Sequence, residues 1–189
     1  DDVETKPIKG TIERGKTRDH DRQNAEALIN SEKDRAENLM IVDLLRNDLG
    51  KNAQIGSVAV PKLFDLETFP NVHHLVSTIT AKIASDKTPI DVLRECFPGG
   101  SITGAPKLRA MQIIDQLEAV NRSVYCGSVG YIGTDLSMDT NIAIRTVVAD
   151  GNRLNCWAGG GIIADSIAED EYAESIAKIK IILDSLEAC

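Results

Sequence analysis

The sequence predicts an α+β fold, antiparallel sheet layers with helices packed outside, and three observations carry that expectation. A tract from about Asp21 to Asp48 places Ala25, Leu28, Ile29, Ala36, Leu39, Met40 and Leu44 at roughly helical spacing. Segments rich in Val, Ile and Thr recur at 56–64, 72–83, 125–132, 140–148 and 153–157. Asp150-Gly151 stands between the last two as a hairpin turn.

Each element follows in chain order. The first twenty residues are polar and read as irregular, with Pro7-Ile8-Lys9-Gly10-Thr11 as a loop. One long helix is expected to run through to Asp48, with Gly50 ending it. The strands at 56–64 and 72–83 come next. Thr88 and Pro89 then open a short helix that reaches Cys96. The sharpest punctuation is Phe97-Pro98-Gly99-Gly100-Ser101-Ile102-Thr103-Gly104-Ala105-Pro106-Lys107. Pro106 suits the first turn of a helix, where its missing N–H is not needed. That helix carries Met111, Ile114 and Leu117 on one face. After Asn121 the three remaining strand segments read as one antiparallel set. Gly159-Gly160-Gly161 interrupts before Ile162, and Asp165 or Ser166 is expected to cap a last helix running to about Glu187. There is no internal repeat, low-complexity tract or flexible linker.

Composition narrows the class of function. The 189 residues suffice for one sizeable core, and 42% hydrophobic with 26% charged residues is the balance of a globular protein. Unbroken apolar runs are short, so neither a membrane span nor a leader is expected. A net charge of −8 speaks against a nucleic-acid surface. It also requires that an anionic substrate be drawn by local cations and not by the overall field. The four cysteines, Cys96, Cys126, Cys156 and Cys189, stand far apart without a C-x-x-C pair. They read as reduced thiols of a cytoplasmic protein rather than a zinc site.

Four features have the chemistry to meet a small anion. The glycine run 159–161 lets the backbone approach a ligand, and its N–H groups can cradle a carboxylate; taken alone, it reads as a strand-to-helix turn. Glu171 and Glu174 share a face of the last helix, yet taken alone they read as acids favouring the macrodipole, with Glu174 and Lys178 an i,i+4 ion pair. Glu37 lies among apolar residues on the long helix; by itself it reads as a boundary residue, and with Glu174 it becomes half of a magnesium site. The fourth feature is a set of cations and polar groups: Lys9, His74 and Arg145. In an alternating strand Arg145 points with Ala143, where it serves either bidentate carboxylate recognition or a surface ion pair. Of His73 and His74, one is expected to face the core.

Five segments occur in order: Pro7-Ile8-Lys9-Gly10-Thr11, 35–44 (Arg-Ala-Glu-Asn-Leu-Met-Ile-Val-Asp-Leu), His74-Leu75-Val76-Ser77, 100–107 (Gly-Ser-Ile-Thr-Gly-Ala-Pro-Lys) and Gly159-Gly160-Gly161-Ile162. Together they resemble the chorismate-utilising family of anthranilate, aminodeoxychorismate, isochorismate and salicylate synthases, across essentially the whole chain. Members that make anthranilate carry alanine at the position of Lys9, whereas the aminodeoxychorismate synthases resemble this chain in carrying lysine.

The resemblance implies a role for each matching residue. Glu37 and Glu174 match the family's Mg²⁺ carboxylates, with Glu171 acting through a bound water. Arg145, Tyr131 and the backbone at Gly159 and Gly161 match positions that hold the substrate's carboxylates, and Lys178 lines the same end. His74 matches the histidine near the departing C4 hydroxyl, while Gly10, Thr11 and Ser101 wall the pocket. Lys9 matches the nucleophile. It serves only as the neutral amine, a form that a nearby divalent cation and partial desolvation favour. The implied reaction converts chorismate to 4-amino-4-deoxychorismate with ammonia from a glutamine amidotransferase subunit, in p-aminobenzoate and folate biosynthesis. The resemblance further implies that residues 1–189 are the C-terminal half of a chorismate-binding catalytic domain whose N-terminal half is absent. Two other readings stand beside this one. One is an anthranilate synthase large component that carries lysine; the other is an inactive fragment that only associates with partner chains.

Overall fold

A computed structural model describes residues 1–187, so Cys189 lies outside the described residues. The chain divides into two compact units, Asp1–Lys107 and Leu108–Cys189. Both combine helices with antiparallel strands, as the α+β expectation requires.

The first unit is organised on one strand. Its elements are β1 (Asp2–Thr5), β2 (Ile8–Glu13), α1 (Arg18–Ile29), α2 (Glu32–Gly50), β3 (Ala59–Thr68), β4 (Val72–Lys82) and α3 (Pro89–Cys96). β4 pairs antiparallel with β3 on one side and with both β1 and β2 on the other. The opening segment is therefore not irregular, as its polarity suggested. β1 and β2 lie end to end along β4, with Thr5 opposite Ile79 and Ile8 opposite Val76. Pro7, which lacks an N–H, separates them, while its carbonyl accepts from the Ser77 amide at 3.1 Å. The pull of β4's unpaired edge outweighs the low β-propensity of the segment.

The single long helix expected at 21–48 is two helices. Asn30 folds its side chain and its backbone N–H back onto the Glu26 carbonyl, which ends α1. Ser31 then caps α2 by accepting from the Asp34 amide. The short helix at Thr88 forms as expected, closed by a reciprocal capping box between Thr88 and Asp91 with Pro89 in its first turn.

The middle of β4 is buried on both faces of the sheet and centres the core. Leu75 through Ile79 are all buried, and Ile79 and Ala81 pack with Val42 and Leu49 of α2 and Val92 of α3. Full burial of one such aliphatic side chain stabilises by about 1.5–3 kcal/mol. One polar contact fixes the register of α2 on the sheet. Ser77 donates to the Asn38 amide oxygen at 2.6 Å, and Asn38 donates to the Leu75 carbonyl at 3.2 Å. Both side chains are fully buried, so a slip of the helix would strand two polar groups.

The second unit opens on α4 (Lys107–Leu117), which begins one residue after Pro106 and not with Pro106 in its first turn. Its other elements are β5 (Ser128–Ile132), β6 (Met138–Ile142), β7 (Val147–Asp150), β8 (Arg153–Cys156) and α5 (Ala168–Glu187). The one antiparallel set expected here is two separate hairpins, β5–β6 and β7–β8. The segment 140–148 is interrupted because Arg145 takes a left-handed backbone, φ +50°, and Thr146 turns its hydroxyl onto the Ile144 carbonyl. Residues 125–127 are likewise a turn, with Cys126 at φ +63°. Asp150 pairs with Arg153 across the expected hairpin turn, where Gly151 has φ +57°. Neither Asp165 nor Ser166 caps α5, which starts at Ala168; the Ser166 hydroxyl is committed to the carboxylate of Glu171.

Candidate functional site

In the first unit a bulge prepares Lys9. The register of β2 on β4 shifts between Ile8 and Thr11, so two residues stand against one, and Gly10 adopts φ +82°. A Cβ on Gly10 would lie 2.9 Å from Cβ of Asp34 and 3.0 Å from Cδ1 of Leu28. Only glycine allows the bulge this close to α1 and α2. The Lys9 side chain then reaches α2, with Nζ 3.7 Å from Oε2 of Glu37 and both side chains partly solvent-exposed.

Directly beyond the bulge Thr11 is paired with His74 in the ladder. The Thr11 hydroxyl lies 2.8 Å from Nδ1 of His74, whose ring meets Phe69 edge-on at 5.4 Å. The neighbouring histidine is the structural one, as expected of the pair. His73 is 3% exposed, with Nε2 3.0 Å from Asp21 Oδ1 and Nδ1 2.9 Å from the Thr68 hydroxyl. A carboxylate only accepts, so Nε2 carries the proton and a neutral ring accepts from Thr68 at Nδ1. Asp21 also takes both ends of the Arg14 guanidinium at 2.7 Å and the Gly15 amide at 2.9 Å. The Arg14 hydrogen bonds, then the Gly15 amide, hold the Asp21 carboxyl well below the usual carboxylate range.

Ser101 sits in a single 3-10 turn, Gly100–Ile102, inside the 97–107 loop. The Thr103 hydroxyl braces that turn by donating to the Gly99 carbonyl at 3.0 Å. Gly100 is buried against Leu44 of α2 with no room for a Cβ.

In the second unit the glycine run and α5 form one cluster. Lys178 Nζ donates to the Gly159 carbonyl at 3.4 Å and pairs with Glu174 at 2.6 Å. A Cβ on Gly160 would lie 2.9 Å from Oε2 of Glu171, and one on Gly159 would lie 2.8 Å from the Tyr125 hydroxyl. Gly161 has open space where a side chain would be. Burial pushes the Tyr125 phenol up to about 12, so it stays a neutral hydroxyl beside the run. Glu171 is held by the Ser166 hydroxyl at 2.6 Å, and Ser166 in turn accepts from the Ile163 amide at 3.0 Å. Tyr131 is exposed on β5, opposite Asp139. Arg145 corrects an expectation: it is in no strand, so alternation with Ala143 does not aim it. It is exposed on the left-handed turn between β6 and β7, while Ala143 is buried.

The structure thus brings Lys9, Gly10, Thr11, Glu37 and His74 into one part of the first unit. It gathers Gly159, Glu171, Glu174 and Lys178 in the second. Glu37, Glu171 and Glu174 offer carboxylate oxygens, the hard donors that suit Mg²⁺. Each meets a cation or hydroxyl: Lys9, Ser166 and Lys178 respectively. Among the described residues no group of three or more His, Cys, Asp or Glu side chains stands together. Two supporting contacts were missed from the sequence. One is Ser166 under Glu171. The other is a pair between Lys107 and Asp48, for which the signal was an acid spaced i,i+4 from Leu44 on the buried side of α2.

The family model described as chorismate binding enzyme matches residues 1–184. Among curated relatives, aminodeoxychorismate synthase component 1 of Salmonella typhimurium is 58% identical over 98% of this chain and 41% of its own length. The protein of that name from Escherichia coli is 55% identical over 98% of this chain and 41% of its own length. The chain therefore spans about two-fifths of the length of these relatives. Among solved structures, anthranilate synthase component I from Streptococcus pneumoniae matches with a TM-score of 0.85 and 40% identity, over 95% of this chain and 39% of that one.

Proposed function

This chain belongs to the chorismate binding enzymes, and on that footing we propose that the complete protein converts chorismate to 4-amino-4-deoxychorismate, a step of p-aminobenzoate and folate biosynthesis. The observation that carries the reading is Lys9, a lysine set on a strand bulge within 3.7 Å of Glu37 and next in line to the Thr11–His74 pair. The higher identity to the two aminodeoxychorismate synthases than to the anthranilate synthase supports the same choice.

In the proposed reaction Lys9, as the neutral amine, adds to ring C2 while the C4 hydroxyl leaves with a proton, so one water is lost. His74, oriented by Thr11, stands at the departing oxygen and supplies that proton. Ammonia then adds at C4 and the lysine departs from C2, which frees Lys9 and leaves the amine on C4. Arg145, Tyr131, Lys178 and the backbone of Gly159 and Gly161 hold the two carboxylates. Gly10, Thr11 and Ser101 wall the ring. The family resemblance assigns Mg²⁺ to Glu37 and Glu174, with Glu171 acting through water; the ion would supply Lewis-acid stabilisation of the ring carboxylate.

The ammonia is supplied by a glutamine amidotransferase subunit; the relatives' designation as component 1 supports a partner component. The proposed setting is cytoplasmic. No described helix is long and apolar enough to cross a membrane. Residues 1–189 form the C-terminal half of the catalytic domain, and alone they turn over no chorismate.

Product analysis of the complete protein with chorismate, Mg²⁺ and ammonium tests the reading. The expected product is 4-amino-4-deoxychorismate. Glu37→Gln and Glu174→Gln each lower its formation on the order of 100-fold, and Glu169→Gln changes little, since it touches only the helix dipole. Anthranilate with pyruvate as the product, or equal small effects at all three glutamates, would contradict it.

A further inference from the structure

The 97–107 loop is closed at its neck by one side chain. Lys107 Nζ donates to Asp48 Oδ2 at 2.6 Å and to the Cys96 carbonyl at 3.4 Å, so it ties the end of α3 to the start of α4 and both to α2. Asp48 is fully buried and Lys107 nearly so, with side chains 0% and 16% exposed. Asp48 Oδ1 has no hydrogen bond and meets only the Lys51 ammonium, an ion pair at 3.7 Å, so Lys107 supplies the one short, directional bond to this carboxylate. A second attachment lies one turn back along α2, where Gly100 seats against Leu44 with no room for a Cβ. Glu37, Ile41, Leu44 and Asp48 follow at i, i+4, i+7 and i+11, a single stripe of the helix. The loop that carries Ser101 is therefore fastened at two points to the same rod that carries Glu37.

A buried ion pair adds little net stability over an apolar pair of similar volume, but its directional bonds fix geometry. We propose that the Asp48–Lys107 pair is a positioning device that holds the Ser101 loop in register with Glu37 on α2. This rests on the proposed function above only in taking Ser101 and Glu37 as parts of one substrate site. Lys107 itself is a positioning residue and touches no substrate.

The test uses the complete protein, with Lys107→Met and the double variant Asp48→Leu/Lys107→Met. Two readouts are followed beside Tm: amide hydrogen exchange of peptides covering 97–107, and KM and kcat for chorismate. In Lys107→Met the buried carboxylate loses its hydrogen-bonded partner and keeps only the longer Lys51 contact, so Tm falls and exchange in the loop speeds up. KM rises on the order of tenfold while kcat changes less. In the double variant Tm returns towards wild type, but loop exchange stays fast and KM stays high, because an apolar pair cannot bond the Cys96 carbonyl. Return of exchange and KM together with Tm would overturn the proposal, as would unchanged loop exchange in Lys107→Met. If Lys107→Met does not fold, the double variant alone decides. A wild-type protein that leaves chorismate untouched would sink the proposed function, and the exchange data would still judge the positioning role.

Discussion

The two units of this chain bury apolar surface by different means. The first wraps helices and strands around β4, so that Leu75, Val76 and Ile79 are buried together with Val42 and Leu49. The second consists of two hairpins and two helices, and among its described residues only Cys126, Ala143 and Ile179 are buried hydrophobics. Large side chains there reach solvent: Ile162 is 74% exposed, Tyr172 71% and Ile181 81%. Two-stranded sheets are marginal by themselves and need further strands or covering helices. The proposed nucleophile thus stands on the unit with the larger buried core. The glycine run and the acids of α5 stand on the unit whose apolar faces are left bare, which fits a chain spanning about two-fifths of its relatives' length.

Core truncation breaks or sharpens this contrast with the largest expected effect. Ile79→Ala removes a fully buried side chain from the centre of β4 and should cost about 2–5 kcal/mol in urea unfolding of residues 1–189. Ile181→Ala, on the exposed side of α5, should stay within about 0.5 kcal/mol. A comparable loss at Ile181 would mean that the second unit has a core of its own.

A smaller effect is expected in acid. The Asp21 carboxyl lies well below its usual range, held there chiefly by the Arg14 hydrogen bonds, so the native state releases this proton more readily than the unfolded chain. Its contribution is complete above the unfolded value of about 4 and is lost as pH falls towards the folded value. Asp21→Asn should therefore flatten the decline of the urea midpoint between about pH 5 and pH 3. An unchanged acid limb would show that the Arg14–Asp21–His73 network does not anchor the first unit.

How much of this was legible in the sequence follows the same division. The capping box at Thr88 and the turn at Asp150-Gly151 were readable because each is a local device with its own residue signature. The opening strands were not, because Ile8 and Thr11 join a sheet only through pairing with residues more than sixty positions away. The break at Asn30-Ser31 was hidden by apolar periodicity that continues across it, although Ser31 is itself a cap residue. At the site, glycine spacing and the i,i+3 acids on α5 could be read directly. The left-handed turn at Arg145 could not, since arginine has no preference for it. The Lys107–Asp48 pair escaped for a related reason: a charged residue in a helix reads as solvated until packing shows it buried.

The proposed reaction turns on whether Lys9 forms a bond to the substrate. Intact-protein mass spectrometry of the complete protein, held with chorismate and Mg²⁺ but without ammonia, answers that directly when Lys9→Ala is run beside it. The expected result is a wild-type adduct with the mass of chorismate less one water, mapping to Lys9, released by added ammonium as 4-amino-4-deoxychorismate and absent from the variant. Chorismate should still bind the variant, because Arg145, Lys178 and the glycine run remain, and any amination it supports should shift towards the 2-amino product. No adduct on the wild type, together with undiminished formation of 4-amino-4-deoxychorismate by Lys9→Ala, would contradict the account and leave Lys9 as a side chain that only lines the pocket.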